Sequence, residues 1–251
     1  MSKAATIAIR PCTRLEEYDR CVELQRLVWG FADVELVPKD VIVVAGSTGG
    51  QVLGAFNGAE MVGFLLSFPG YRDGRSYIHS HMLAVLPDYR DAGVGRRLKL
   101  EQRADALARG LELVEWTFDP LELKNAYFNI ERLGAIVRRY IVNKYGRTSS
   151  PLHGGLPTDR LVAEWWLKTP RVEAVVKGGA VAHAPGARRI AVPASIAQLK
   201  SNDRTMAECV QSEVREQFQK LFDSGYAVTG FEATADAGTY LLEPVPAGVL
   251  R

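Results

Sequence analysis

The stretch Met82-Leu83-Ala84-Val85-Leu86-Pro87-Asp88-Tyr89-Arg90-Asp91-Ala92-Gly93-Val94-Gly95-Arg96-Arg97 decides the reading of this chain. A predicted apolar strand ends near Val85, and the following turn opens a helix through Arg-x-x-Gly-x-Gly. That geometry aims a row of backbone N–H groups at one point, and the helix N-terminus adds about half a positive charge there. Such a corner suits a phosphate or pyrophosphate. The two glycines let the backbone approach a ligand with no Cβ in the way. Arg96 and Arg97 bring charge-assisted hydrogen bonds.

Three phosphate-binding signatures compete for these residues. A P-loop requires Gly-Lys-Ser/Thr, which the stretch lacks. A dinucleotide fingerprint requires a third glycine, and Gly93-Val94-Gly95-Arg96-Arg97-Leu98 has leucine there, although Glu112 and Glu115 lie near the expected acidic position. The third is the acyl-coenzyme A turn, Gln/Arg-x-x-Gly-x-Gly/Ala, of the GNAT N-acetyltransferase superfamily. Arg90-Asp91-Ala92-Gly93-Val94-Gly95 resembles it at every defined position.

The flanking pattern extends the resemblance. Thr6 to Arg10 reads as a strand, followed by an amphipathic helix with Leu15, Tyr18, Val22, Leu24, Gln25 and Val28 inward and Trp29-Gly30-Phe31 at its end. Gly50–Gly58 and Met61–Phe68 read as a hairpin about Asn57-Gly58. Ser76 to Val85 is the next strand. Val94 to Arg109 reads as a helix with Leu100, Ala104 and Leu107 on one face, closed by Gly110. A strand over Leu113–Phe118, a helix over Leu121–Leu133, and strands over Ala135–Tyr145 and Leu161–Leu167 follow. This order is similar to a whole GNAT core over residues 5–168, closest to the predicted-acetyltransferase branch. The resemblance implies an α/β (α+β) fold, a central mixed sheet flanked by helices. It also implies acetyl-CoA, or another acyl-CoA, as cofactor.

Residues 169–251 continue past that pattern. Val172 to Gly186 reads as loosely structured. Arg189–Pro193 then reads as a strand. Asp203–Asp223 reads as a helix striped by Met206, Val210, Val214, Phe218 and Leu221, and Tyr226–Thr234 with Thr239–Leu242 as a hairpin. The expected organisation is therefore a domain over 5–168 and a β-α-β-β extension over 169–251. The extension reads as a small domain, a lid over the acceptor, or a homodimer contact. Arg147 to Arg160, with its Ser-Ser-Pro and Gly-Gly runs, reads as a long loop.

With 251 residues, 47% of them hydrophobic, the chain can bury one large core or two smaller ones. A net charge of +2 and no basic run give no sign of a nucleic-acid partner. Cys12, Cys21 and Cys209 match neither zinc spacing nor a disulfide framework. No signal-peptide core and no apolar run of about 18 residues is present. A cytoplasmic protein without a membrane partner is expected.

Acyl transfer to an amine needs both reactants held at attack distance, a base, and stabilisation of charge on the acyl oxygen. The resemblance places the pantetheine arm beside Met82-Leu83-Ala84-Val85, whose backbone N–H groups would polarise the thioester, and the diphosphate at Arg90 to Arg97. His79 and His81 lie two apart on the preceding strand, so they share a face and are the candidate bases. The alternative is that each ring simply bonds a neighbouring strand or loop. As a metal pair they lack an identified third ligand. Many family members use a tyrosine of the fourth helix as proton donor. Ile130 stands at that position, so Tyr127, one turn earlier, is the candidate acid. Asn125 and Asn129 are expected to share its face and to bind the cofactor. Trp29, Phe31 and Trp116 read either as acceptor-pocket lining or as ordinary core. The expected function is acyl-CoA-dependent transfer, with acetyl the expected group, by direct attack of the amine of an unidentified acceptor, a small molecule or a free amine. The alternatives are a non-catalytic acyl-CoA-binding module, favoured by Ile130, and an enzyme for a protein N-terminus or lysine.

Overall fold

The computed structural model describes residues 7–146, 148, 153–180 and 183–244. These form two compact units, one from the residues up to Trp116 and the other from Thr117 onward. The expected strand residue Thr6 and much of the loop over 147–152 lie outside the described residues.

In the first unit, β1 (Ile7–Pro11), β2 (Gln51–Asn57), β3 (Glu60–Arg72), β4 (Arg75–Val85) and β5 (Leu113–Phe118) lie side by side in that order. Neighbours are antiparallel except β4 and β5, which run parallel. Gly58, at φ +60°, makes the Asn-Gly turn between β2 and β3. The sheet has an apolar cluster on each face. Helices α1 (Leu15–Trp29) and α2 (Lys39–Ser47) cover one, with Cys21, Leu24 and Ile42 packed on Phe64 and Leu66. Helix α3 (Val94–Ala108) covers the other, with Val94 and Leu98 on Val62 and Leu65.

Three local expectations change. Leu15 is exposed, because Glu17 takes the inward position at the start of α1. Its carboxylate accepts from Thr13 N (2.8 Å) and Arg10 Nη2 (2.6 Å). The Arg10 hydrogen bond pushes the Glu17 pKa down to about 2, against the opposing effect of burial. Helix α2 has no counterpart among the expected elements: Ile42 and Ala45, three apart, bury one face and override the strand preference of its valines. On α3 the buried stripe is Val94, Leu98, Lys99, Gln102 and Ala106, whereas Ala104 is exposed. Polar Lys99 and Gln102 face inward because buried Ser80 and Gln51 on the sheet accept hydrogen bonds from their side chains.

The second unit begins with α4 (Leu123–Tyr127), which passes directly into a π-helical turn over Phe128–Arg132. Its strands, β6 (Ile136–Ile141), β7 (Arg160–Trp166), β8 (Arg188–Pro193), β9 (Tyr226–Ala233) and β10 (Ala237–Pro244), lie in the order β7-β6-β9-β10-β8, antiparallel throughout. Short helices α5 (Pro170–Val176) and α6 (Ile196–Asn202) and the long α7 (Arg204–Asp223) complete it. The expected loose segment after Thr169 contains α5: the Thr169 side chain caps it and Pro170 takes its first turn. Phe218 of α7 lies edge-on to Tyr240, with centroids 5.1 Å apart, and Phe231 packs on the same ring at 4.9 Å. This aromatic knot forms where the helix stripe and hairpin were expected.

Candidate active site

Strand β4 is irregular at the expected place. Leu66 of β3 pairs with Met82, and the next residue, Ser67, pairs with Ser80, so His81 is one extra residue bulged from the ladder. A bulge of this kind re-aims side chains, and such bulges often sit beside active sites. Before it, Ser80 faces α3; after it, Leu83 and Val85 do. On the opposite face are His79, His81, Met82 and Ala84. The imidazoles are 6.1 Å apart, and Phe68 of β3 lies edge-on to His81 at 5.4 Å. The shared face expected for the two histidines therefore holds in spite of the bulge.

The pairing of β4 with β5 runs over Ile78↔Val114 and His79↔Glu115. Beyond it, Met82–Val85 keep β3 on one side, and no β5 pairing continues along the other. A strand edge of this kind offers N–H and C=O groups to an extended ligand carrying amides.

At the end of the strand, Asp91 and Gly93 adopt left-handed φ values of +58° and +77°, and Gly93 caps α3 without a side-chain hydrogen bond. The space where a Gly93 Cβ would point is open. Gly95 has ordinary backbone geometry, and a Cβ there would touch Leu83 Cδ2 at 3.7 Å. The two glycines thus differ: Gly93 is favoured by its left-handed conformation, whereas a Cβ at Gly95 would meet only ordinary van der Waals contact. Arg90 Nε donates to Val85 O (3.1 Å) and closes the turn, and Arg97 Nη2 donates to Ile7 O (2.6 Å). Asp91 and Gly93 are exposed, Ala92, Gly95 and Arg96 are half-buried, and Val94 is buried against the sheet. The donor-rich cap, the left-handed turn and the adjoining strand edge fit a diphosphate joined to an amide-bearing arm.

The remaining candidates lie in the second unit. Tyr127 is 44% exposed, whereas Ile130 is fully buried. Asn125 is exposed and Asn129 is buried. The two amides therefore differ in depth: Asn129 belongs to the buried stripe with Ala126, Ile130 and Leu133, and Asn125 is open to solvent.

Lys99 and Glu115, buried charged residues of the first unit, escaped the sequence reading. Lys99 is 2% exposed, with Nζ 3.1 Å from Ser80 Oγ and 2.7 Å from Gln102 Oε1. It sits 3.6 Å from the centroid of the Trp116 ring, so Trp116 lies on the α3 face and not beside the histidines. Burial pulls the Lys99 pKa well below the usual lysine range. Glu115 is 3% exposed and forms a two-pronged ion pair with Arg72, Oε1–Nη2 2.6 Å and Oε2–Nη1 2.9 Å. Alternation along Leu113–Phe118 was the available signal: Val114 and Trp116 face α3, so Glu115 must face the histidines. Trp29 and Phe31 stack at 5.7 Å, and Trp29 packs against the α1 and α2 cluster.

No described helix is long and apolar enough to cross a membrane. Among the described residues, no group of three metal-ligating side chains is placed to hold an ion.

Residues 17–134 match the sequence profile of the Acetyltransferase (GNAT) family. No match to a curated protein sequence was found. Among solved structures, smu.2055 from Streptococcus mutans UA159 superposes with a TM-score of 0.54 at 19% identity, over 64% of this chain and 99% of that one. Arabidopsis thaliana NAA60, solved with a bisubstrate analogue, gives 0.53 at 15% identity over 64% and 99%. The ribosomal-protein-S18-alanine N-acetyltransferase of Escherichia coli gives 0.51 at 13% identity over 65% and 95%. At these identities the likeness is one of fold, and it covers about two thirds of the chain.

Proposed function

We propose that this chain, whose residues 17–134 match the Acetyltransferase (GNAT) family, is an acyl-CoA-dependent N-acyltransferase, using acetyl-CoA or another acyl-CoA and acting on a small molecule or another free amine. The observation that carries this reading is the left-handed Asp91–Gly93 turn capping α3 at the end of a strand whose far edge is open. Arabidopsis thaliana Naa50, similar in fold with a TM-score of 0.51 at 14% identity, was solved with the bisubstrate analogue CoA-Ac-MVNAL, which supports the cofactor class.

When bound, the cofactor supplies a thioester, whose acyl carbon is open to attack by an amine. The rest of the mechanism belongs to the chain. N–H groups at the α3 N-terminus, with Arg96 nearby, bind diphosphate charge. Backbone groups of Met82–Val85 orient the amide arm and face the acyl oxygen as it gains charge. His81, in the bulge, and His79, beside it, take the proton that the amine must lose. Phe68 fixes the His81 ring from its edge.

A specific observation favours a second reading, a binding module without turnover. Ile130 is fully buried where a proton-donating side chain was expected.

Two measurements test the proposal. Gly93→Val places a β-branched residue at φ +77° and fills the open approach to the cap, so calorimetry should show acetyl-CoA affinity falling by at least about tenfold, about 1.4 kcal/mol. Unchanged affinity in the folded variant would remove the turn from the site. A screen of amines and amino acids for coenzyme A release, with acetyl and longer acyl donors, then separates an enzyme from a binding module.

A further inference from the structure

Strand β4 changes phase at its bulge. Before it, Ile78 and Ser80, two apart, face α3; after it, Leu83 and Val85 do. Even-numbered residues face the helix on one side of the bulge and odd-numbered residues on the other, so one extra residue is needed between them. The apolar residues do not decide which one it is. With Ser80 as the extra residue, Ile78 and Leu83 would keep their places, but His81 would pair with Ser67 and, two before Leu83, turn toward α3. Serine and histidine are both polar, so the partner waiting under the strand decides between them.

That partner belongs to a buried polar chain under the sheet. Lys99 Nζ donates to Ser80 Oγ (3.1 Å) and to Gln102 Oε1 (2.7 Å). Gln102 Nε2 donates to Gln51 Oε1 (2.9 Å). Ser67 Oγ donates to the same oxygen (3.0 Å) and accepts from Gln51 N (2.9 Å). Ser67 is the residue opposite Ser80 in the ladder, so the last pair before the bulge is held at both ends. All five of these residues are buried, and the Trp116 ring lies against the Lys99 amine at 3.6 Å. A buried hydroxyl deprived of its partner is costly, so Ser80 keeps the inward place and His81 becomes the extra residue.

We propose that Lys99, acting through Ser80, is a positioning residue that sets the bulge at His81 and so keeps that imidazole on the face where the acyl group is transferred. Its role in turnover rests on the acyltransferase reading; the register of β4 does not. Lys99 lies on the opposite face of the sheet and takes no proton from the amine.

The test uses two variants. Lys99→Met keeps the length of the stem and removes the amine. Ser80→Ala removes the acceptor with a smaller change, and it serves if the first variant does not fold. In the unaltered protein, cross-strand proton contacts by NMR should join Ser67 to Ser80 and Leu66 to Met82. In either folded variant, Ser67 should contact His81 instead, and the His81 ring resonances should move. With an accepted amine, kcat should fall by about 10²-fold while KM for acetyl-CoA stays within about twofold, since a base is misplaced and the cofactor turn is intact. In the double variant the loss should match that of the larger single loss, because both residues act through one bond. A folded variant that melts lower but keeps the Ser67–Ser80 contacts would make Lys99 a stabilising residue only, and overturns the proposal. So does a kcat within twofold of the unaltered protein, or single losses that multiply in the double variant. If the unaltered protein turns over no amine, the acyltransferase reading fails, and the cross-strand contacts alone decide the role of Lys99.

Discussion

The two units bury polar side chains for different ends. In the first, they lie mid-strand on the two faces of the sheet: Ser67 and Ser80 on β3 and β4 face Lys99 and Gln102 of α3, and Glu115 on β5 lies on the other face with Arg72. In the second, they act as clasps between segments distant in sequence. Lys200 of α6 reaches Asp119 Oδ2 (3.0 Å) and Glu122 Oε1 (2.8 Å), 81 and 78 residues away. Arg215 of α7 reaches Asp159 Oδ2 (2.7 Å), which also accepts from the Tyr140 hydroxyl at 2.6 Å. Arg138 and Arg139 both reach buried Glu164 because Arg138 is bulged out of β6. The polar groups of the first unit are paired within the sheet and with the helix that covers it, whereas polar groups that clamp remote segments specify one assembly of elements.

That contrast gives its largest consequence for residues 169–251. Read from the sequence, these are an extension of a core ending at 168. In the structure, β9 of the extension pairs with β6 at Val137↔Val228, and Tyr140 of β6 packs on Phe218 of α7 at 5.8 Å. Deleting everything after Thr169 should leave the rest of the second unit without its core. The product should aggregate or elute as a mixture in size exclusion and lose its cooperative thermal transition. A truncated protein that is soluble, monomeric and equally heat-stable would mean that 5–168 folds alone.

The Lys200 clasp sets the next largest effect. Lys200 and Asp119 are both buried, and the two carboxylates hold the Lys200 pKa above its usual value against the opposing effect of burial. Lys200→Met leaves Asp119 in a buried site without its cation. Breaking one side of a buried pair typically costs about 3–5 kcal/mol, which is about 10 °C in melting temperature for a chain of this size. Lys200→Met with Asp119→Asn and Glu122→Gln should regain much of that loss, since the isolated charge is gone. A single variant melting with the unaltered protein would show that the clasp adds nothing to stability.

The same contrast explains what the sequence showed. The left-handed turn was legible at Gly93 because a glycine pair after an apolar strand has few other uses. The extension was legible because apolar spacing at Val210, Val214 and Phe218 and the paired strands that follow carry the two structural periods plainly. Glu115 and Lys99 were not, since a charged residue inside an apolar segment shows its burial only when its partners, far away in sequence, are known. Helix α2 was hidden by β-branched residues whose packing outweighed their local preference. The π turn after Tyr127 leaves no mark in an i, i+4 pattern.

The smallest expected effect concerns Tyr127. Its ring is 44% exposed on α4, next to the π turn, whereas Ile130 is sealed in the core. If its hydroxyl protonates the leaving thiolate, Tyr127→Phe should slow turnover and leave acetyl-CoA affinity unchanged. The slowing should fall short of the roughly 10²-fold floor of general acid catalysis, because a thiol titrates near about 8.5 and its anion can leave with only water to receive it. Exposure makes the control clean: losing a hydroxyl from a half-open ring disturbs no buried hydrogen bond, so a change in melting temperature is not expected. A rate and an affinity both equal to those of the unaltered protein would leave proton delivery to water. The catalytic chemistry would then lie wholly on the polar sheet face of the first unit, and the second unit would contribute only assembly.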